Sequence, residues 1–396
     1  MKQQSNKLAL YLLMFNMFIT MGGIGIIVPV MPAYLQVFGV GGQVLGFLIA
    51  CFALAQFLLS PVAGDLSDRH GRKRFIVAGL VVYGISQLLF GFASEVWILF
   101  LARFLSGAGA AFIMPPIMAF VADITTYEER GKGMGMIGAA ISLGFMIGPG
   151  IGGFLSKVDL TFPFYLAGSV AILAAVLSAI YLPNVQNNHI ATSKPKRENL
   201  ATQLLRSFKT SYFVFLIVVF TFSFGIANFQ STLALFLDFK FDYSPTDIAI
   251  IITIGGFAGV ILQMFVVNKL FKRFGEMKVI LVNLIVAAIT MFLIIYISGF
   301  FIILLVATIF SIATTFIRPA VNTLISKLAG EEQGFAAGMN NAYMSLGNMF
   351  GPALAGILFE WNPNSPYILG TVILGSCFIL AISWTRKKAP HLLRSA

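Results

Sequence analysis

Few residues in this chain are equipped for covalent or metal chemistry. Cys51 and Cys377 each sit in an apolar run with no partner at metal-ligand spacing, and His70, His189 and His391 lie in separate polar stretches. No disulfide framework, zinc site or histidine metal centre follows, so no metal is expected. Gly148, Gly150 and Gly153 spell G-x-G-x-x-G. That pattern cradles a dinucleotide only when a strand precedes it, a helix opens on it and an acid stands ~20 residues on. Here the glycines close an apolar run, Pro149 interrupts them and no acid lies near position 173. No nucleotide or other cofactor is expected. The charges of interest are of another kind. Arg103 and Arg318 interrupt long apolar runs, where a lone cation costs ~2.5–3.5 kcal/mol to insert in a membrane and normally faces a cavity or a partner. The stretch Gly64-Asp65-Leu66-Ser67-Asp68-Arg69-His70-Gly71-Arg72-Lys73-Arg74 sets two aspartates among four basic residues. Its spacing allows Asp68 and Arg72 to pair across a turn that Gly71 makes tight.

The elements that must position these residues follow from composition. Of 396 residues, 58% are apolar and only 10% charged, and the mean hydropathy is +0.91. Soluble domains run at roughly 45–50% apolar and ~25% charged, so a soluble enzyme, a disordered regulator and a nucleic-acid module all fit poorly. A membrane helix needs ~20 mainly apolar residues. Twelve such runs are predicted, at 9–36, 43–63, 75–93, 97–121, 134–155, 162–182, 212–237, 248–268, 278–297, 300–325, 335–358 and 366–385. The first is too long for a cleaved signal and no small-residue cleavage site follows it, so it is expected to stay as a helix.

The net charge of +11 is read as topology. With a cytoplasmic N-terminus, Arg103 and Arg318 lie within spans and only Lys157 and Lys240 outside the cell, which leaves 22 of 26 basic residues facing the cytoplasm. That bias is the positive-inside pattern, and it removes nucleic acid as a partner. Residues 184–211 are polar, contain Pro195 and carry Lys194, Lys196, Arg197, Arg206 and Lys209. They are expected to form a basic cytoplasmic linker between six-helix halves at 1–183 and 212–396. Leu200 to Phe208 is expected to form a short interfacial helix within it.

The halves repeat at a shift of about 204 residues. Ser142-Leu143-Gly144-Phe145-Met146-Ile147-Gly148-Pro149 matches Ser345-Leu346-Gly347-Asn348-Met349-Phe350-Gly351-Pro352, Phe112-Ile113-Met114-Pro115 matches Phe316-Ile317-Arg318-Pro319, and Asp68-Arg69-His70-Gly71 is echoed by Lys272-Arg273-Phe274-Gly275. Three matches at nearly the same shift, 203 for the first and 204 for the other two, indicate duplication. Parallel six-helix repeats are the architecture of secondary transporters that rock around a midplane site.

Span-level motifs sharpen this. After Arg103 come Ser106-Gly107-Ala108-Gly109-Ala110-Ala111, small residues that admit a neighbouring helix. Gly135, Gly144, Gly148, Pro149, Gly152 and Gly153 place glycines at intervals that smooth one face of span 5, and Pro149 removes a backbone hydrogen bond and bends it. Pro29 and Pro32 loosen the outer end of span 1. The G-x-x-x-D-R-x-G-R-[KR] stretch from Gly64, the R-x-x-x-G-x-G-A-A run from Arg103 and the span-5 glycine series together resemble the signature motifs of the major facilitator superfamily, and within it the twelve-span drug:proton antiporters of NorA/Bmr type. The resemblance runs along nearly the whole chain, including Val121-Ala122-Asp123-Ile124 and Ala329-Gly330-Glu331-Glu332-Gln333-Gly334-Phe335-Ala336. It implies an all-α membrane protein of two six-helix halves in the bacterial plasma membrane. It also implies export of amphipathic compounds (dyes, quaternary cations, fluoroquinolone-like antibiotics) in exchange for protons by alternating access. By the same resemblance Gly64, Asp65, Asp68, Arg69, Gly71, Arg72 and Asp123 form a cytoplasmic gate, with Asp123 paired to Arg72, and Arg103 takes part in proton coupling.

The resemblance breaks at two positions. NorA/Bmr-type exporters carry a glutamate in span 7 and an aspartate before the Arg-Pro of span 10, where this chain has Gln230 and Thr315. All 15 acidic residues fall in predicted loops or near span ends. Proton coupling could then run through Asp65, Asp68 and Asp123, or through an outer acid such as Glu95 or Asp238, or the substrate and coupling differ. Candidate cavity residues are Gln56, Ser142, Phe145, Gln230, Thr315, Arg318 and Asn341, with Phe229 and Tyr343 as further rings for a planar ligand and Asn228, Asn322 and Asn340 as further polar groups. Without a nearby acid, Arg318 favours anionic or zwitterionic ligands. The alternative within transport is a narrow exporter of a tetracycline-like compound, a metabolite or a lipid precursor. A membrane-embedded enzyme lacks any nucleophile–base pair, and a receptor has no need of the span-5 series. A monomer is expected because one chain holds both halves.

Overall fold

The computed structural model describes residues 2–184, 200–330 and 332–388, and among them every regular element is an α-helix. In chain order these are α1 (Lys2–Val37), α2 (Gly42–His70), α3 (Arg72–Gly91), α4 (Val96–Ile124), α5 (Tyr127–Leu155), α6 (Phe162–Tyr181), α7 (Leu200–Ser207), α8 (Phe213–Phe241), α9 (Pro245–Phe265), α10 (Val267–Phe274), α11 (Glu276–Leu293), α12 (Phe300–Ala329), α13 (Gln333–Trp361) and α14 (Ser365–Lys388). Twelve of them, all but α7 and α10, are long and apolar enough to cross a membrane. They coincide with the twelve predicted runs.

The departure that bears on the charged cluster is at the end of the second span. It was expected to stop near residue 63, with a loop over Gly64 to Arg74; instead α2 stays helical to His70. The reason is local. Arg69 and Asp65, four residues apart, pair at 2.9 Å, and Ser67 Oγ donates to the Gly64 carbonyl at 2.9 Å. The connection is reduced to Gly71, whose φ of +96° and N–H bond to the Ser67 carbonyl (3.1 Å) end the helix in a conformation that favours glycine. Arg72 then opens α3 at once. The repeat uses the same device 204 residues later, where Gly275 (φ +78°) separates α10 from α11. Hydropathy misses the extra helical turns because their polar residues look like loop.

The helices gather into two compact units. The first comprises α1 to α6 together with Leu237–Thr253; the second comprises α7, the rest of α8 and the helices from Ile254 onward. Lipid supplies little hydrophobic drive for helix association, so close packing and interhelical hydrogen bonds hold each unit. In the first, Leu13, Met17, Ile76, Tyr83, Ile113 and Phe120 are fully buried, Asn16 donates to Ser178 (2.8 Å) and Tyr83 to the Thr20 carbonyl (3.0 Å). In the second, Asn228 donates to the Pro366 carbonyl at 2.8 Å, tying α8 to α14. Phe229 stacks on Phe310 with centroids 4.0 Å apart.

Lys194, Pro195, Lys196 and Arg197 of the expected linker lie outside the described residues. Its helical part is α7, which is fastened to α13. Arg206 pairs with Glu332 at 2.5 Å and lies 4.7 Å over the Phe335 ring, and Ser207 Oγ meets the Tyr343 hydroxyl at 2.9 Å. Leu205 and Phe208 remain exposed beside these contacts.

Candidate functional site

Three charged side chains, Asp68, Arg72 and Asp123, converge where α2, α3 and α4 end or begin. Arg72, the first residue of α3, donates from Nη1 to Asp68 Oδ1 at 2.7 Å and from Nε to Asp123 Oδ2, with a longer Nη2 contact to Asp123 Oδ1 at 3.5 Å. The guanidinium thus bridges the last turn of α2 and the last turn of α4. Its side chain is 12% exposed and that of Asp123 16%, so water screens the pair little. Asp65 and Arg69 form an outer pair that is largely exposed. Asn6 Nδ2 adds α1 to the same end by donating to the Ile124 carbonyl at 3.0 Å.

The span-5 glycines form a rail against α1. A β-carbon on Gly144 would lie 2.6 Å from the Phe18 carbonyl oxygen, one on Gly148 would lie 2.5 Å from that of Gly22, and one on Gly152 would run into that of Ile26. Both rows advance by four residues, so the two backbones stay in contact for more than two turns. Gly25 meets Pro149 in turn, with no room for a side chain. The α1 partners Phe18, Gly22, Gly25 and Ile26 had no place among the sequence-derived site residues. Their one signal in the sequence is the run of small residues Gly22, Gly23 and Gly25, which admits a close neighbour. Gly150 and Gly153 face α9, where Thr253, Ala249 and Pro245 fill the space and Thr246 Oγ1 donates to the Gly153 carbonyl at 3.0 Å. The G-x-G-x-x-G residues therefore lie inside a continuous helix and serve helix contacts. Gly135 has nothing within 4 Å of a built β-carbon and packs against no neighbour.

Arg103 is 6% exposed and lies 5.0 Å over the Phe90 ring of α3. Its Nε has no hydrogen-bond partner, and among the described residues no carboxylate pairs with it. Gln87 Nε2 and Ser106 Oγ are likewise buried without a partner.

The expected cavity residues divide. In the first unit, Gln56 Nε2 donates to Met114 Sδ at 3.1 Å, Ser142 is half-buried, and Phe145 is exposed on a face of α5 away from the α1 rail. In the second unit, Gln230, Arg318, Asn322 and Asn341 are exposed. Thr315 is turned inward at the α9–α12 seam, its hydroxyl donating to the Ser311 carbonyl at 2.7 Å and abutting Gly259. Two of the three rings considered for a planar ligand are unavailable. Phe229 is buried between Phe310 and Tyr367, and Tyr343 is buried under α7. Asn228 is committed to the Pro366 carbonyl, whereas Asn340 is half-buried with an unpartnered Oδ1. Of the outer acids, Asp238 accepts from Gln36 Nε2 at 2.9 Å and Glu95 is exposed just before α4.

Comparison with known proteins agrees with this architecture. The Major Facilitator Superfamily profile matches residues 13–297 and 215–396. The chain is 41% identical over 393 residues to "Multidrug resistance protein 2" of Bacillus subtilis (strain 168), covering 98% of both chains. It is 34% identical over 382 residues to "Quinolone resistance protein NorA" of Staphylococcus aureus (strain Mu50 / ATCC 700699), covering 96% of this chain and 97% of that one. Among solved structures, a bacterial homologue of the human lysosomal transporter Spinster superposes with a TM-score of 0.79 at 17% identity over 96% of this chain and 97% of that one, which is a likeness of fold. Twelve helical spans among the described residues and full-length similarity together show that the chain belongs to the major facilitator superfamily, a family of multi-pass membrane transporters and not of enzymes.

Proposed function

We propose that this protein is a multidrug efflux antiporter of the bacterial plasma membrane, which exports amphipathic compounds in exchange for protons by alternating access. The observation that carries the reading is identity of 41% across essentially the whole length of a multidrug resistance protein. In this reading the Asp68–Arg72–Asp123 bridge is a cytoplasmic latch. It fastens α2, α3 and α4 in one state and must part for the other, so it adds a barrier between them. The glycine rail lets α5 bear directly on α1, so that the two helices move as one piece. Residues 1–183 and 212–396 act as the two rocking halves joined by the linker 184–211, both termini face the cytoplasm, and one chain is the working unit.

Protons enter at helix-end carboxylates, because every acid of the described span helices lies near a helix end. Asp68 and Asp123 are the acids whose protonation would release Arg72, which ties the proton to the latch. The test is ethidium efflux from proteoliposomes with and without an imposed proton gradient. Gradient-driven efflux that Asp68→Asn abolishes is the expected result. Efflux indifferent to the gradient would remove proton exchange from the reading.

A further inference from the structure

The two repeats share a backbone stop at Gly71 and Gly275, but the helical turns just before it differ in charge. At a shift of 204 residues, Asp65, Asp68 and Arg69 of α2 correspond to Lys269, Lys272 and Arg273 of α10. In the first repeat the segment neutralises itself, because Asp65 pairs with Arg69 and Asp68 with Arg72. In α10 both acids have become lysines. Lys269, Lys272 and Arg273 are exposed, and among the described residues none of the three forms an ion pair or a hydrogen bond. Glu276, the first acid beyond them, is engaged with Lys327 at 2.5 Å.

α10 leaves α9 at Val266 and is two-faced. Lys269, Lys272 and Arg273 stand at i, i+3 and i+4 and so share one side of the helix. The other side is anchored. Val267 is buried, and Leu270 and Phe271 join it against Val279 of α11 and Phe316 of α12. The cations are thus presented by a seated helix and not by a loop. Met264 and Phe265 at the end of α9 and Phe274 at the end of α10 are exposed beside them, and the Arg273 guanidinium lies 5.3 Å over the Phe274 ring. Because α9 is long and apolar enough to span a membrane, its end and α10 fall at the level where acyl chains meet headgroups. Exposed rings next to exposed cations suit both layers.

We propose that α10 is a binding site for the headgroup of an anionic phospholipid in the cytoplasmic leaflet. Two ammonium groups and a guanidinium offer charge-assisted donors to a phosphodiester. Met264, Phe265 and Phe274 lie where its acyl chains begin, and the negative surface potential of that leaflet draws the cations in. A zwitterionic headgroup brings a cation of its own, which three uncancelled positive charges repel, so the site selects anionic lipid. Inorganic phosphate has no acyl chain for the apolar flank to hold. Lipid seated here steadies the ends of α11 and α12 through Val279 and Phe316, whatever compounds the protein exports.

Native mass spectrometry of the full-length protein, titrated with phosphatidylglycerol and with phosphatidylcholine of the same chains, tests this. Phosphatidylglycerol should bind at least fivefold more tightly. The triple variant Lys269→Gln/Lys272→Gln/Arg273→Gln should bring the two lipids within twofold of each other. Lys132→Gln/Lys209→Gln/Arg386→Gln removes the same charge from other exposed positions and should keep the preference. Thermal unfolding of each variant within a few degrees of the parent separates a lost site from a lost fold. If the α10 triple variant does not fold, Lys272→Gln alone should still weaken phosphatidylglycerol binding at least twofold. Equal affinity for the two lipids in the parent overturns the assignment, as does a preference that survives in the α10 variant. Equal loss in the control variant reduces it to net charge, and displacement of the lipid by inorganic phosphate gives the site to a soluble anion; either result overturns it.

Discussion

Arg72 is the residue on which most of the charged cluster depends. It serves two carboxylates on two other helices from a nearly enclosed position. Removing one member of such a pair leaves the other charge poorly compensated, a larger penalty than loss of an exposed pair. Asp123→Asn is expected to destabilise the protein by about 1–3 kcal/mol, on the scale of a broken charge-assisted hydrogen bond, and to reduce transport. Asp65→Asn breaks only the exposed pair with Arg69 and should change stability by less than ~0.5 kcal/mol. Thermal unfolding of the two variants side by side, with efflux rates, checks the contrast. Equal effects would place the latch elsewhere. Sequence spacing made the Asp68–Arg72 contact legible, since four residues carry the chain across the tight turn at Gly71. Asp123 lies 51 residues from Arg72, and its place came from resemblance alone.

At the scale of the element, the rail between α1 and α5 is the main packing device of the first unit. Carbonyls of α1 occupy the places where β-carbons at Gly144, Gly148 and Gly152 would stand. Gly148→Ala must therefore push the two backbones apart, at a cost of about 1–3 kcal/mol for overpacking. Gly135 tells the opposite story within the same helix, with open space where its side chain would project. Gly135→Ala is expected to be neutral or to stabilise α5 by about 0.5–1 kcal/mol, the usual gain for replacing glycine inside a helix. Unfolding temperatures and efflux of the two alanine variants decide this. A Gly148→Ala protein as stable and active as the parent would remove the rail from the mechanism. The repeat reaches the same solution in the second unit, where Gly347 abuts the Phe220 carbonyl and Gly351 that of Phe224. Internal duplication read from residue strings is thus visible as a duplicated helix contact.

For the whole molecule, charge distribution predicts the orientation. Lys157, between α5 and α6, belongs to the expected outer side, and Lys132, near the start of α5, to the inner side; both are exposed. With the native cysteines replaced, Lys157→Cys should react with a membrane-impermeant maleimide on intact cells, and Lys132→Cys only after permeabilisation. The reverse pattern would invert the topology. The docking of α7 onto α13 also belongs to this scale. The Arg206–Glu332 and Ser207–Tyr343 contacts join residues 126 and 136 positions apart, so the amphipathic character of the segment announced a helix but not its seat.

The number of spans, their approximate limits and the duplication could be read from the chain alone, because each depends on hydropathy or identity within a local window. Which face of each span is buried could not. In lipid both faces of a helix are apolar, so hydropathy carries little information about rotation around the helix axis. Only packing in three dimensions decided that Phe229 is core while Gln230 beside it is exposed. It also decided that Thr315 turns to α9, and that Arg103 is buried under Phe90 while Arg318 stands open. The extension of α2 to His70 was set in the same way. Its polar residues look like loop in a hydropathy profile, but they are helical because the Asp65–Arg69 pair, four apart, and the Gly71 stop satisfy the last turn.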